Sequence, residues 1–147
     1  MSSNGTSVIL LAEDDANDVF FLRRAFQKAE LGCRILDVPN GQIAVDYLSG
    51  VSPFDDRSQY PLPNLILLDL KMPLMSGFEV LEWLKGQTDL ADLPALVLSS
   101  SAHQEDIAKA RALGARDYHV KPSDQHQLIQ LARELQAKWL AHKAVAA

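Results

Sequence analysis

Residues 65–73 read LILLDLKMP, four apolar residues followed at once by an acid, Asp69. An unbroken Leu/Ile run without polar alternation is the pattern of a strand buried on both faces. Asp69 stands where such a strand leaves the core. Pro73 and Gly77 then interrupt the pattern before an amphipathic segment begins at Phe78. Open α/β sheets bind ligands outside the carboxyl ends of their strands, which makes Asp69 a candidate functional carboxylate.

Outward from this stretch, strand-like and helix-like segments alternate. Residues 7–12 (SVILLA) form a second buried-type strand ending on Glu13, Asp14 and Asp15. A helix is expected from Asn17, with Val19, Leu22, Phe26 and Ala29 inward and Arg23, Arg24 and Lys28 outward. Gly32 reads as its left-handed terminus, and one of the adjacent pair Phe20 and Phe21 has to leave the buried stripe. Residues 33–38 suit an edge strand, and 42–49 a short helix burying Ala44, Leu48 and Tyr47. The segment 50–64 has three prolines and no periodicity; it exceeds the usual connection of about 4–6 residues, as an insertion or mobile loop does. A helix over 77–85 buries Val80, Leu81 and Leu84. Strand 95–98 delivers Ser99, Ser100 and Ser101, and helix 105–113 stops at Gly114. Strand 117–120 runs into Lys121-Pro122. Ser123 or Asp124 caps a last helix with the stripe Leu128, Leu131 or Ala132, Leu135 and Trp139. Trp139 and Leu140 read as core or as a dimer contact. About five alternations predict a doubly wound α/β sandwich around a parallel sheet.

Composition narrows the function classes. The chain has 147 residues, 48% hydrophobic and 22% charged, which fits one soluble globular domain. A net charge of −5 argues against an electrostatic nucleic-acid binder. No apolar run approaches the ~20 residues of a membrane span, and the polar start is no signal peptide. The single cysteine, Cys33, reads as a small buried residue, excludes an internal disulfide and fits a cytoplasmic location. The expected organisation is a disordered start at 1–6, a domain at 7–141 and a frayed tail at 142–147.

The strand ends together carry Glu13 and Asp14 (with Asp15 next), Asp69, Ser99 and Lys121. Any one of these acids alone reads as a helix cap or a solvated turn. Converging, they repel one another unless a cation compensates. Mg²⁺ does so with oxygen ligands and pairs with phosphate groups, while the lysine supplies an anion-binding charge. Such a set handles a phosphoryl group. His103, His119, His126 and His142 show no metal-ligand spacing.

The motifs LLAEDD, LLDLKMPLMSGFEVL, VLSS and GARDYHVKP make the chain resemble the receiver domain of two-component response regulators over residues 8–139. The resemblance implies a flavodoxin-like, three-layer sandwich with five parallel strands in the order 2-1-3-4-5. It implies that Asp69 accepts a phosphoryl group from a histidine kinase, with Glu13 and Asp14 as the acidic pair (Asp14 and Asp15 if the register shifts). Asp14, Asp69 and the backbone carbonyl of Lys71 would bind Mg²⁺. Lys121 and Ser99 would hold the phosphoryl oxygens, Lys121-Pro122 would be a cis peptide, and Tyr118 would be an aromatic switch that turns inward when Ser99 moves. Lys71 and Ser101, close to the acceptor, are expected to tune acyl-phosphate lifetime.

The long 50–64 segment and the lack of an output domain resemble single-domain regulators associated with phytochrome-type kinases. The expected partners are a sensor histidine kinase, an unknown downstream protein, and a second copy through the fourth-helix, fifth-strand and fifth-helix face; nucleic acid and membrane are not expected. The protein would act by switched contacts rather than as a turnover enzyme. The rivals are a phosphorylation-independent adaptor, an aspartyl-nucleophile phosphatase and a nucleotide or flavin binder. Lys71 stands where such a phosphatase has a second acid, and no glycine-rich loop follows the first strand.

Overall fold

The computed structural model describes residues 6–140. The expected disordered start (Thr6 apart), the tail 142–147 and His142 lie outside them. The elements are β1 (Val8–Ala12), α1 (Ala16–Lys28), β2 (Arg34–Val38), α2 (Gly41–Ser49), β3 (Leu65–Leu68), α3 (Gly77–Lys85), β4 (Ala95–Ser99), α4 (Gln104–Ala112), β5 (Asp117–Val120) and α5 (Gln125–Leu135). All strand pairs are parallel, in the order β2-β1-β3-β4-β5. This is the doubly wound topology expected from the alternation.

Alternation of side chains along each strand divides the core into two layers. Ile9, Leu11, Leu65, Leu67, Leu96 and Leu98 face α1 and α5, where they meet Leu22, Phe26, Leu131 and Leu135. Leu10, Ala12, Ile66, Leu68, Ala95 and Val97 face the other way, onto Ala44, Leu48, Val80, Leu81 and Ala110. Because β1, β3 and β4 are apolar on both faces, they can only occupy the centre of the sheet. At β2 only Ile35 and Val38 are buried, which puts that strand at the edge.

Helix starts follow local chemistry. The side chains of Asp15, Asn40 and Asp124 accept backbone N–H bonds at the starts of α1, α2 and α5. Ser76 and Glu79 form a reciprocal capping box on α3.

Four details differ from expectation. The residue with positive φ after α1 is Glu30 (φ 58°), not Gly32. Leu31 N–H donates to the Phe26 carbonyl and Glu30 N–H to that of Gln27, a Schellman closure that docks Leu31 on the core. Both Phe20 (56% exposed) and Phe21 (47%) leave the buried stripe and meet edge to face, because Leu22, Ala25 and Phe26 already fill the inward side. Lys121-Pro122 is trans, the ordinary form of an X-Pro bond, and the cis bond among the described residues is Ser52-Pro53. Leu84 is half-buried.

The 50–64 segment is an organised cap rather than an unstructured loop. Arg57 donates to the carbonyls of Tyr47, Leu48 and Tyr60, and the rings of Tyr47, Phe54 and Tyr60 pack together. At the other end of the chain, α5 continues into a wider turn, Gln136–Leu140, where Leu140 is core and Trp139 half-buried. Cys33 is half-buried just before β2, and burial pushes its thiol up to about 11.

Candidate functional site

Backbone bonds beyond the strand ends carry the ladder into the site. Glu13 N–H donates to Val38 O (3.0 Å), Asp69 N–H to Ala12 O (3.0 Å) and Lys121 N–H to Ser99 O (2.8 Å). Glu13, Asp69 and Lys121 are therefore held by the sheet's own hydrogen bonds rather than on free loops. The turn after Asp69 is held by Gly77, whose N–H donates to Leu70 O at 3.1 Å. A side chain at Gly77 would collide with the Asp69 carbonyl, so α3 can start close beneath the acid only because this residue is glycine.

Glu13, Asp14 and Asp69 each place a carboxylate oxygen within 4.8 Å of the others. Glu13 and Asp69 are buried and Asp14 is exposed. Asp15 is not part of the group: it turns away to cap α1, bonding Asn17 N–H and Asp18 N–H. Of the three consecutive acids, Glu13 and Asp14 are the two that stand with Asp69. Lys121 joins them, with Nζ 2.8 Å from Glu13 Oε1 and 3.4 Å from Asp69 Oδ2.

Burial pushes the Glu13 carboxyl up to about 7. The charge on Asp69 adds to that rise, while the Lys121 hydrogen bond pulls the other way. Lys121 is held above its ordinary value: burial works against its charge, but hydrogen bonds to Asp18 and Glu13 and the charge of Asp69 outweigh it. An all-oxygen, acidic donor set in which Glu13 is driven toward protonation suits a hard divalent cation.

On the other side of Asp69, Ser99 and Tyr118 are joined through Ser101. Ser101 N–H donates to Ser99 Oγ (3.2 Å), and Tyr118 Oη donates to the Ser101 carbonyl (2.8 Å). Ser101 Oγ is occupied by Asp106 Oδ2 at 2.6 Å. Lys71 is exposed on the turn after Asp69.

One residue of the site was not anticipated. Asp18, in the first turn of α1, places Oδ2 2.7 Å from Lys121 Nζ. Its place in the first turn of α1, directly after the acids that end β1, was the available signal. A cavity of about 190 Å³ opens beside this pair, lined in part by Glu13, Asp18, Phe21, Lys121 and Pro122.

Comparisons with a family description, with curated relatives and with solved structures agree. The family description "response regulator receiver domain" matches residues 9–133. Response regulator Rcp1 of Synechocystis is 29% identical over 138 residues, covering 94% of this chain and 92% of the relative. The structure of the phosphorylated cyanobacterial phytochrome response regulator RcpA superposes with a TM-score of 0.84 at 29% identity, over 93% of this chain and 96% of that one. The Mn²⁺-bound form of Rcp1 superposes with a TM-score of 0.79 at 28% identity, over 91% and 94%.

Proposed function

The chain belongs to the response regulator receiver family, and from that premise we propose that Asp69 is its phosphoacceptor. The observation that carries this is the Lys121 ammonium fixed beside a buried Asp69 carboxylate at the end of a central strand. An Asp69 oxygen attacks the phosphorus of a kinase phosphohistidine as the P–N bond breaks, and the imidazole leaves with the electron pair. Lys121 neutralises the phosphoryl oxygens, and burial of Glu13 and Asp69 limits water near the reacting atoms. Asp14 and Asp69, with the Lys71 carbonyl as the family resemblance implies and Glu13 close by, would hold Mg²⁺. When bound, the cation supplies the positive charge that lets an anionic donor approach anionic carboxylates.

The switch follows from the bonds around Ser101. Moving Ser99 Oγ onto a phosphoryl oxygen takes it from Ser101 N–H, and the Ser101 carbonyl carries the Tyr118 hydroxyl with it. A phosphoryl charge of roughly −1.5 to −2 thereby biases the face formed by α4, β5 and α5. The protein signals from the cytoplasm through that face, to an unknown target and to a second copy of itself, and is not a turnover enzyme. Its donor is a histidine kinase, with a phytochrome-type kinase favoured by the likeness to Rcp1 and RcpA.

The test is incubation with acetyl phosphate and Mg²⁺, followed by intact-mass measurement. Wild type should gain one phosphoryl group and Asp69→Asn none. Equal gain in both would remove Asp69 from the role, and no gain from acetyl phosphate or any kinase tested would leave a phosphorylation-independent adaptor.

A further inference from the structure

The ammonium of Lys121 has three N–H donors and three carboxylates around it. Nζ lies 2.7 Å from Asp18, 2.8 Å from Glu13 and 3.4 Å from Asp69. The three partners are not equivalent. The Glu13 side chain is 3% exposed, and its second oxygen accepts Asp15 N–H, so it cannot move. Asp69 is fixed at the end of β3. Asp18 is 39% exposed, lies on a helix rather than a strand end, and stands outside the three-acid cluster, yet it makes the shortest contact.

This arrangement matters once Asp69 carries a phosphoryl group. New acceptor oxygens then appear beyond Asp69 Oδ, and a lysine with all its donors committed can reach them only by releasing a partner. The bond to Asp18 opposes that release. We infer that Asp18 is a positioning residue, which holds the Lys121 ammonium toward α1 and against the Asp69 oxygen and so shortens the life of the acyl phosphate. The inference rests on the reading of Asp69 as phosphoacceptor.

In hydrolysis a water oxygen bonds to phosphorus as the P–Oδ bond of Asp69 breaks. Asp69 keeps the electron pair as carboxylate, and the water's proton leaves with orthophosphate or passes to solvent. Charge therefore grows on the Asp69 oxygen during the step. An ammonium held there favours the transition state, whereas one transferred to the phosphoryl oxygens favours the phosphorylated ground state. Asp18 selects the first arrangement.

The experiment labels the full chain with acetyl phosphate and Mg²⁺, removes the donor, and follows decay by intact mass for wild type, Asp18→Asn and Asp18→Glu. Asp18→Asn should decay about 1.5- to fivefold more slowly, the range that an ion pair of this exposure supplies. Asp18→Glu should restore the wild-type rate, and the Mg²⁺ concentration for half-maximal labelling should be the same in all three. Unchanged or faster decay in Asp18→Asn, or slow decay accompanied by a matching shift in the Mg²⁺ requirement, overturns the inference and leaves the phosphoacceptor standing. Absence of label on wild type overturns both.

Discussion

Replacing Gly77 with alanine probes how closely the acceptor acid is held. A Cβ at this position would lie 3.0 Å from both the Asp69 carbonyl carbon and Leu70 Cα, and closer still to the Asp69 carbonyl oxygen. Carbon atoms normally approach to about 3.5–4.0 Å, so the start of α3 and the end of β3 must separate by roughly 0.5–1 Å. Backbone stands on the far side of the collision, so no side-chain rotation relieves it. Overpacking of this kind costs about 1–3 kcal/mol, and alanine's better helix propensity returns up to about 1 kcal/mol. A net loss of roughly 1–2 kcal/mol should appear as a lower urea midpoint.

The functional effect should exceed the stability effect. A displacement near 1 Å at a reacting group costs up to about 10²-fold in rate, so labelling of Gly77→Ala by acetyl phosphate should be at least about tenfold slower under conditions where the variant is fully folded. Gly32→Ala is the control, since a Cβ there meets nothing within 4 Å. If Gly77→Ala matches Gly32→Ala in urea midpoint and labelling rate, the close approach of α3 does not set the position of Asp69.

Two further predictions concern stability. Glu13 holds its proton in the fold up to about pH 7, against an ordinary value of 4.5, so the stability this proton brings is full below the ordinary value and is lost as pH rises through about 7. Metal-free wild type should lose on the order of 1–3 kcal/mol from this group between pH 5 and pH 8, while Glu13→Gln should show a flatter profile in urea titrations with EDTA; parallel profiles would refute the assignment. Glu30 occupies the left-handed position that closes α1, so Glu30→Gly should raise stability by about 1 kcal/mol, and a lower melting temperature would show that the Glu30 side chain stabilises the closure instead.

The central strands and the acids at their ends could be read directly because apolar runs this short, bounded by turn residues, are too brief for a buried helix. LILL and ALVL admit few other placements, and the chain must leave the core at Asp69 and Ser99. Residues whose role depends on a partner far along the chain were harder to see. Asp18 looks like any first-turn acid until α1 is packed beside α5 and Asp18 meets Lys121. Gly32 looks like a helix terminus, but the anchoring of Leu31 on the core places the left-handed turn two residues earlier, at Glu30. The 50–64 segment hid its order because Arg57 binds carbonyls rather than side chains, and carbonyls leave no mark in a sequence.

The account turns on one atom pair, an Asp69 oxygen bonded to phosphorus. Borohydride reduces an acyl phosphate to an alcohol, so protein labelled with acetyl phosphate and Mg²⁺, reduced and digested, should yield a peptide with homoserine in place of aspartate at position 69. Homoserine at position 14 or 15, or at none of the three, would contradict it.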